Sequence, residues 1–205
     1  MPKEYFCTYE GQEDPVSCTP KDFCDNPSVV SYVPNWDRED SYDNWISRFD
    51  LHCASKSKIG LIGSAYFGGW ALSLTFLPRL SDLFGRQKIL IAGTTVNFLA
   101  FTMLLMSHSY AILVVSMATF GMMSSIRVQI GVNYMYESVV REIYVTLYMF
   151  IAMGEGLIGI LASLYFMFVS KKDFWFMFAG WSWITTAMVS SFFYPESPRY
   201  LIKSG

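Results

Sequence analysis

Polar and apolar positions divide this chain sharply. Up to about Lys58 the sequence is polar and acidic, without a long periodic apolar run. Beyond it come long apolar stretches broken by short polar turns. Five stretches stand out, at about residues 59–80, 89–107, 111–136, 143–169 and 174–194. Each exceeds the ~18 residues that separate a membrane-crossing helix from a core helix, and about 20 cross a bilayer core. Helices are expected throughout, because an open strand in lipid leaves its backbone groups unpaired. The pattern predicts an all-α, multi-spanning membrane protein. An extramembrane segment, residues 1–58, precedes a five-helix bundle, residues 59–194, and a short tail, residues 195–205.

Small residues recur where these helices would touch: Gly60, Gly63, Gly68 and Gly69 in the first stretch, and Gly154, Gly156 and Gly159 in the fourth. Gly60, Ser64 and Gly68 have the small-xxx-small spacing that lets helix backbones approach. Composition agrees with a membrane location. Of 205 residues 53% are hydrophobic and only 16% charged, against about 25% charged in an ordinary globular domain. Eleven of the 17 acids lie in residues 1–50, so the net charge of −2 averages an acidic segment with a nearly neutral bundle. Nucleic-acid binding would need a basic stripe, and none is present.

All four cysteines, Cys7, Cys18, Cys24 and Cys53, fall in the first segment. Their confinement there predicts two disulfides on an oxidising side of a membrane. Three pairings are possible. Without a C-x-x-C pair, metal binding is not expected. Residues 1–30 lack the basic start and apolar core of a signal peptide. Five helices place the chain ends on opposite sides. Arg79, Arg86, Lys88, Arg141, Arg199 and Lys203 fall on one side, against Lys56, Lys58, Lys171 and Lys172 on the other. The bias puts the N-terminus outside and the C-terminus inside.

The turn between the first two stretches reads Ser81-Asp82-Leu83-Phe84-Gly85-Arg86-Gln87-Lys88. Its D-x-x-G-R-x-K form resembles the turn between helices two and three of major facilitator superfamily transporters. Pro195-Glu196-Ser197-Pro198-Arg199-Tyr200-Leu201 resembles the tag that follows helix six in that superfamily's sugar and organic-ion branches. Asn44 to Cys53, with Ser64-Ala65-Tyr66-Phe67-Gly68-Gly69, is similar to the stretch before and within helix two of organic cation/anion transporters. The resemblance runs from about residue 44 to the end and equates the five spans with helices two to six. It implies a missing first helix and second six-helix half. It also implies a gate cluster made of Asp82, Gly85, Arg86, Lys88, Glu137, Arg141, Glu196 and Arg199. Two positions depart from the pattern: Pro78 stands where the family usually has glycine, and Leu83 where it has a base. Both departures fall where contact with the second half would occur.

Arg127 and Glu155 lie midway along the third and fourth stretches. A charge at the bilayer centre costs a few kcal/mol and needs a partner or water. Either both face a polar cavity, or they neutralise one another. Each lies about 14 residues from the intervening turn, so at 1.5 Å per residue they share a depth. Glu137 and Arg141 are spaced for an ion pair on one helix, as a gate element or as a helix-end pair at the headgroups. His52 and His108 sit at span edges with no assigned chemistry.

No nucleophile–base pair, phosphate loop or metal cluster is evident, so no enzyme and no cofactor is expected. Two functions stay open. One is transport of a small organic solute, an organic ion by resemblance, as part of a major-facilitator-type transporter. The other is a transporter-derived accessory subunit that fills a helical interface in a larger assembly. Expected partners are the lipid membrane and a second membrane chain that supplies the missing helices. The expected location is the plasma membrane, with an organelle membrane such as the mitochondrial inner membrane as the alternative.

Overall fold

The computed structural model describes residues 4–11, 14–24, 26–37, 43, 45–169 and 173–204, the last stretch without the side chains of Arg199, Lys203 and Ser204. Lys171 and Lys172, two of the bases counted above, lie outside the described residues.

The long apolar stretches form helices, so the chain is a multi-span helical membrane protein. Two short helices, α1 (Pro20–Phe23) and α2 (Trp45–Arg48), precede them. The spans are α3 (Lys56–Phe84), α4 (Arg86–Met106), then α5 (Tyr110–Ile126), which runs through a π-helical turn, Arg127–Gly131, into α6 (Val132–Ser138). They continue as α7 (Arg141–Phe168) and α8 (Phe174–Ser191), and a terminal α9 (Pro198–Ser204) follows. Among the described residues, four helices are long and apolar enough to cross a membrane: α3, α4, α5 through α6, and α7. Helix α8 is a single 18-residue helix whose tryptophans, serines and threonines dilute its apolar character.

The first segment also carries strands, which its polar pattern did not predict. Tyr5–Tyr9 (β1), Val16–Cys18 (β2) and Val29–Pro34 (β3) form an antiparallel sheet in the order β2-β1-β3. The strands are too short to give a long apolar period. Their core is made of aromatic rings and sulfur: Tyr5, Cys7, Cys18 and Phe23 are buried together. Two disulfides, Cys7–Cys18 and Cys24–Cys53, settle the pairing, with Cα–Cα separations of 5.9 and 5.3 Å. The first closes the hairpin. The second ties the sheet to the entrance of α3.

Of the glycines expected at helix contacts, Gly69 makes a close one and the others do not. A Cβ on Gly60, Gly63, Gly68, Gly154, Gly156 or Gly159 would meet nothing within 4 Å. At Gly69 it would lie 2.1 Å from the carbonyl oxygen of Ala118, and at Gly121 2.0 Å from that of Tyr66. Helices α3 and α5 therefore cross backbone against backbone. Just beyond this crossing the buried Ser73 and Ser125 hydroxyls bond at 2.5 Å. Helix α4 packs on α5 through Gly93, which receives the side chain of Ile126. Helix α8 is held to α4 by the indole N–H of Trp181, which donates to Thr102 Oγ1 at 3.0 Å. Helix α7 has no buried residue, so its apolar length faces outward, as lipid contact or a further helix requires.

Candidate functional site: the charged network at the bundle end

The site is built where α3 stops. Gly85 adopts φ +98°, and a Cβ there would lie 2.6 Å from Glu196 Oε2. Only glycine meets both conditions without strain. The turn it makes starts α4 with free backbone N–H groups, and Glu196 supplies their acceptor from 110 residues away. Its Oε1 accepts from the N–H of Arg86 at 3.0 Å, Gln87 at 3.1 Å and Ser197 at 3.0 Å. A carboxylate at a helix N-terminus is favoured both by these bonds and by the helix dipole.

Arg86 then turns to Glu137 at the end of α6, with Nη2 to Oε1 at 2.9 Å and side chains only 14% and 7% exposed. A second acid, Asp82, lies 3.5 Å from the same nitrogen but is 61% exposed. The other Glu137 oxygen, Oε2, accepts the Ser197 hydroxyl at 2.5 Å, and Ser197 is fully buried. The Tyr134 hydroxyl donates to the Pro195 carbonyl at 2.9 Å. Residues from α4, α6 and the 195–197 turn thus meet in one partly buried cluster. A buried ion pair gains by satisfying its remaining oxygens in this way.

Of the expected gate residues, Asp82, Gly85, Arg86, Glu137 and Glu196 come together. Lys88 and Arg141 are exposed and outside the network, and the Arg199 side chain lies outside the described residues. Arg141 fails for a structural reason. Helix α6 ends at Ser138 and Val139 is extended, with φ −116° and ψ 146°, so Glu137 and Arg141 do not share a helix. Ser197 and Gln87 went unassigned in the sequence. A serine directly after Glu196 gives no pattern until the fold brings it to Glu137.

At mid-span Arg127 and Glu155 do meet, Nη2 to Oε1 at 3.5 Å, with side chains 56% and 49% exposed. Arg127 opens the π-helical turn, a local widening that re-aims side chains and recurs at functional positions. Beside it is a cleft lined by Thr94, Asn97, Met123, Arg127, Trp183 and Ile184. Asn97 turns a buried Oδ1 toward no hydrogen-bond partner among the described residues.

A family model described as "Sugar (and other) transporter" matches residues 17–205. The arabinose-proton symporter of Bacillus subtilis (strain 168) is 25% identical over 170 residues, covering 76% of this chain and 36% of that protein. The chain thus spans little more than a third of that relative's length. It belongs to the sugar (and other) transporter family, within the major facilitator superfamily, whose members are membrane transporters and not enzymes.

Proposed function

We propose that this chain takes part in moving a small organic solute across a membrane, with the Arg86–Glu137–Ser197–Glu196 cluster as a latch at one end of the bundle. The observation that carries the reading is the placement of that cluster. The Arg86–Glu137 ion pair, 14% and 7% exposed, shares Ser197 with the turn that carries Glu196, so groups from three separate segments are joined. A static helix end needs only a local cap, whereas this contact ties α4 and α6 to the turn after α8. A contact of this kind can part and re-form as helices rock, which is what alternating access demands of the ends of a transporter. Arg127 lines the mid-span cleft beside Thr94 and Asn97, and its pairing with Glu155 offsets its charge there.

The organic-ion branch rests on the 44–69 element. The relative named for arabinose and protons supports a sugar instead. The further parts of the proposal are residues 1–58 outside, the C-terminus inside, a plasma-membrane location, and a second membrane chain completing the transport path. The accessory-subunit reading is favoured by one observation, the wholly outward α7, which suits a helix that packs on a larger assembly.

Uptake by cells expressing the chain separates the readings. An organic cation, an organic anion and a pentose are offered in turn. Uptake of one solute above control is expected, lost in Glu137→Gln and retained in Arg141→Ala. Normal folding and membrane insertion with no uptake of any solute, alone or with a co-purifying chain, supports the accessory reading.

A further inference from the structure

His52 joins two parts of the molecule that otherwise have separate cores. Its neighbour Leu51 is buried in the cluster of Phe49, Ile62, Phe101, Leu104 and Leu113 at the sheet-bearing end of the bundle. His52 points the other way, into the aromatic core under the sheet. There the Tyr5 hydroxyl meets its Nδ1 at 2.8 Å, and the rings of Tyr5 and Tyr32 lie edge-on to it at 5.2 and 5.9 Å. Tyr5 is fully buried and His52 is 7% exposed. The next residue, Cys53, carries the disulfide to Cys24. Three consecutive residues therefore bind the bundle, the sheet core and the covalent tether in turn.

We propose that the Tyr5–His52 contact is a proton-sensitive latch that seats the disulfide-bonded sheet on the membrane bundle and loosens when His52 is protonated. In its Nε2–H tautomer the neutral ring accepts the Tyr5 hydroxyl proton through Nδ1. The cation has no lone pair there, so the hydroxyl loses its acceptor and a charge is left where water is excluded. The groups facing His52 are Tyr5 from β1, Tyr32 from β3 and Asp50 from its own segment. Only Asp50 favours the cation, and that carboxylate is already engaged by the Tyr32 hydroxyl at 2.7 Å. Burial lowers the His52 pKa and Asp50 raises it, with a net lowering. Tyr5, raised to about 12 by burial, stays neutral throughout. The sign follows. The unseated form binds a proton more readily than the seated form, so seating is strongest above the ordinary histidine pKa and weakens as pH falls through and below it. The Cys24–Cys53 bridge keeps the sheet attached, so release is a hinge motion.

The chain holds two histidines, which makes the titration readable in the full protein in lipid nanodiscs. Imidazole resonances, assigned with His108→Gln, give the His52 midpoint. Hydrogen exchange of the β1 amides, corrected for intrinsic rates, is followed from about pH 7.5 to about pH 5.5, the range in which histidine changes charge. The expected results are a His52 midpoint below that of free histidine and a loss of β1 protection on acidification. His52→Gln can accept the Tyr5 proton but does not titrate, and should lack that loss. The same loss in His52→Gln, constant protection in the wild type, or a midpoint at or above that of free histidine would each overturn the proposal. The midpoint is measured with His52 in place and decides the matter even where His52→Gln does not fold.

Discussion

Gly85 shows how one position can be fixed by two unrelated demands. Its φ of +98° disfavours any side chain, and the Glu196 carboxylate occupies the space a Cβ would need. Gly85→Ala should therefore cost about 1–3 kcal/mol, read as a lower unfolding temperature in detergent. It should also lower solute uptake, because Glu196 must move off the α4 N-terminus. Arg127 and Glu155 make a second residue-scale test. Either Arg127→Met or Glu155→Gln leaves an uncompensated charge at mid-span, and each should reduce folded yield. The double substitution should recover much of it, with a coupling on the order of 1 kcal/mol in a thermal-unfolding cycle. Additive losses would show that the two residues act independently. This pair was legible in the sequence because depth in a membrane helix is set by counting residues from a turn. The Glu137–Arg141 pair was misjudged by the same counting. The spacing assumes a continuous helix, and the extended Val139 breaks it.

At the scale of elements, hydrophobic length located the four helices long and apolar enough to cross a membrane among the described residues, α3, α4, α5 through α6 and α7, since lipid leaves the backbone no alternative to helix. Which faces meet was less legible. Nearly all positions in such helices are apolar, so periodicity carries little information about contact. Small residues are a better guide, yet they mark possible contacts only. Gly69 and Gly121 form the α3–α5 crossing, while a Cβ on Gly154, Gly156 or Gly159 of α7 would meet nothing within 4 Å. Gly121→Ala should push α3 and α5 apart and destabilise the bundle by roughly 1–3 kcal/mol. Gly156→Ala should be neutral or slightly stabilising, as alanine is favoured over glycine in a helix. Thermal unfolding of the two variants side by side tests the assignment, and equal loss in both would contradict it. The sheet was not legible because its strands are only 5, 3 and 6 residues long, so the alternation of buried Tyr5, exposed Phe6 and buried Cys7 spans too few positions to stand out.

At the scale of the whole molecule, the question is whether the cluster at the bundle end is a moving latch or a permanent staple. Family membership and the motif residues were legible together, because the D-x-x-G-R-x-K turn and the Pro195–Leu201 tag are short and keep their order. Their meeting was not legible, since Glu196 and Arg86 are 110 residues apart and only the fold joins them. Ser197 is the reporter of choice. It is wholly buried and bonded to Glu137, and the native cysteines are all in disulfides. The most direct measurement is the rate at which an impermeant thiol reagent, applied on the side bearing the latch, modifies Ser197→Cys in vesicles with and without the transported solute. A latch that opens during transport predicts slow modification at rest and a severalfold faster rate with solute. The same slow rate under both conditions would contradict it, and would mark the cluster as a fixed structural contact.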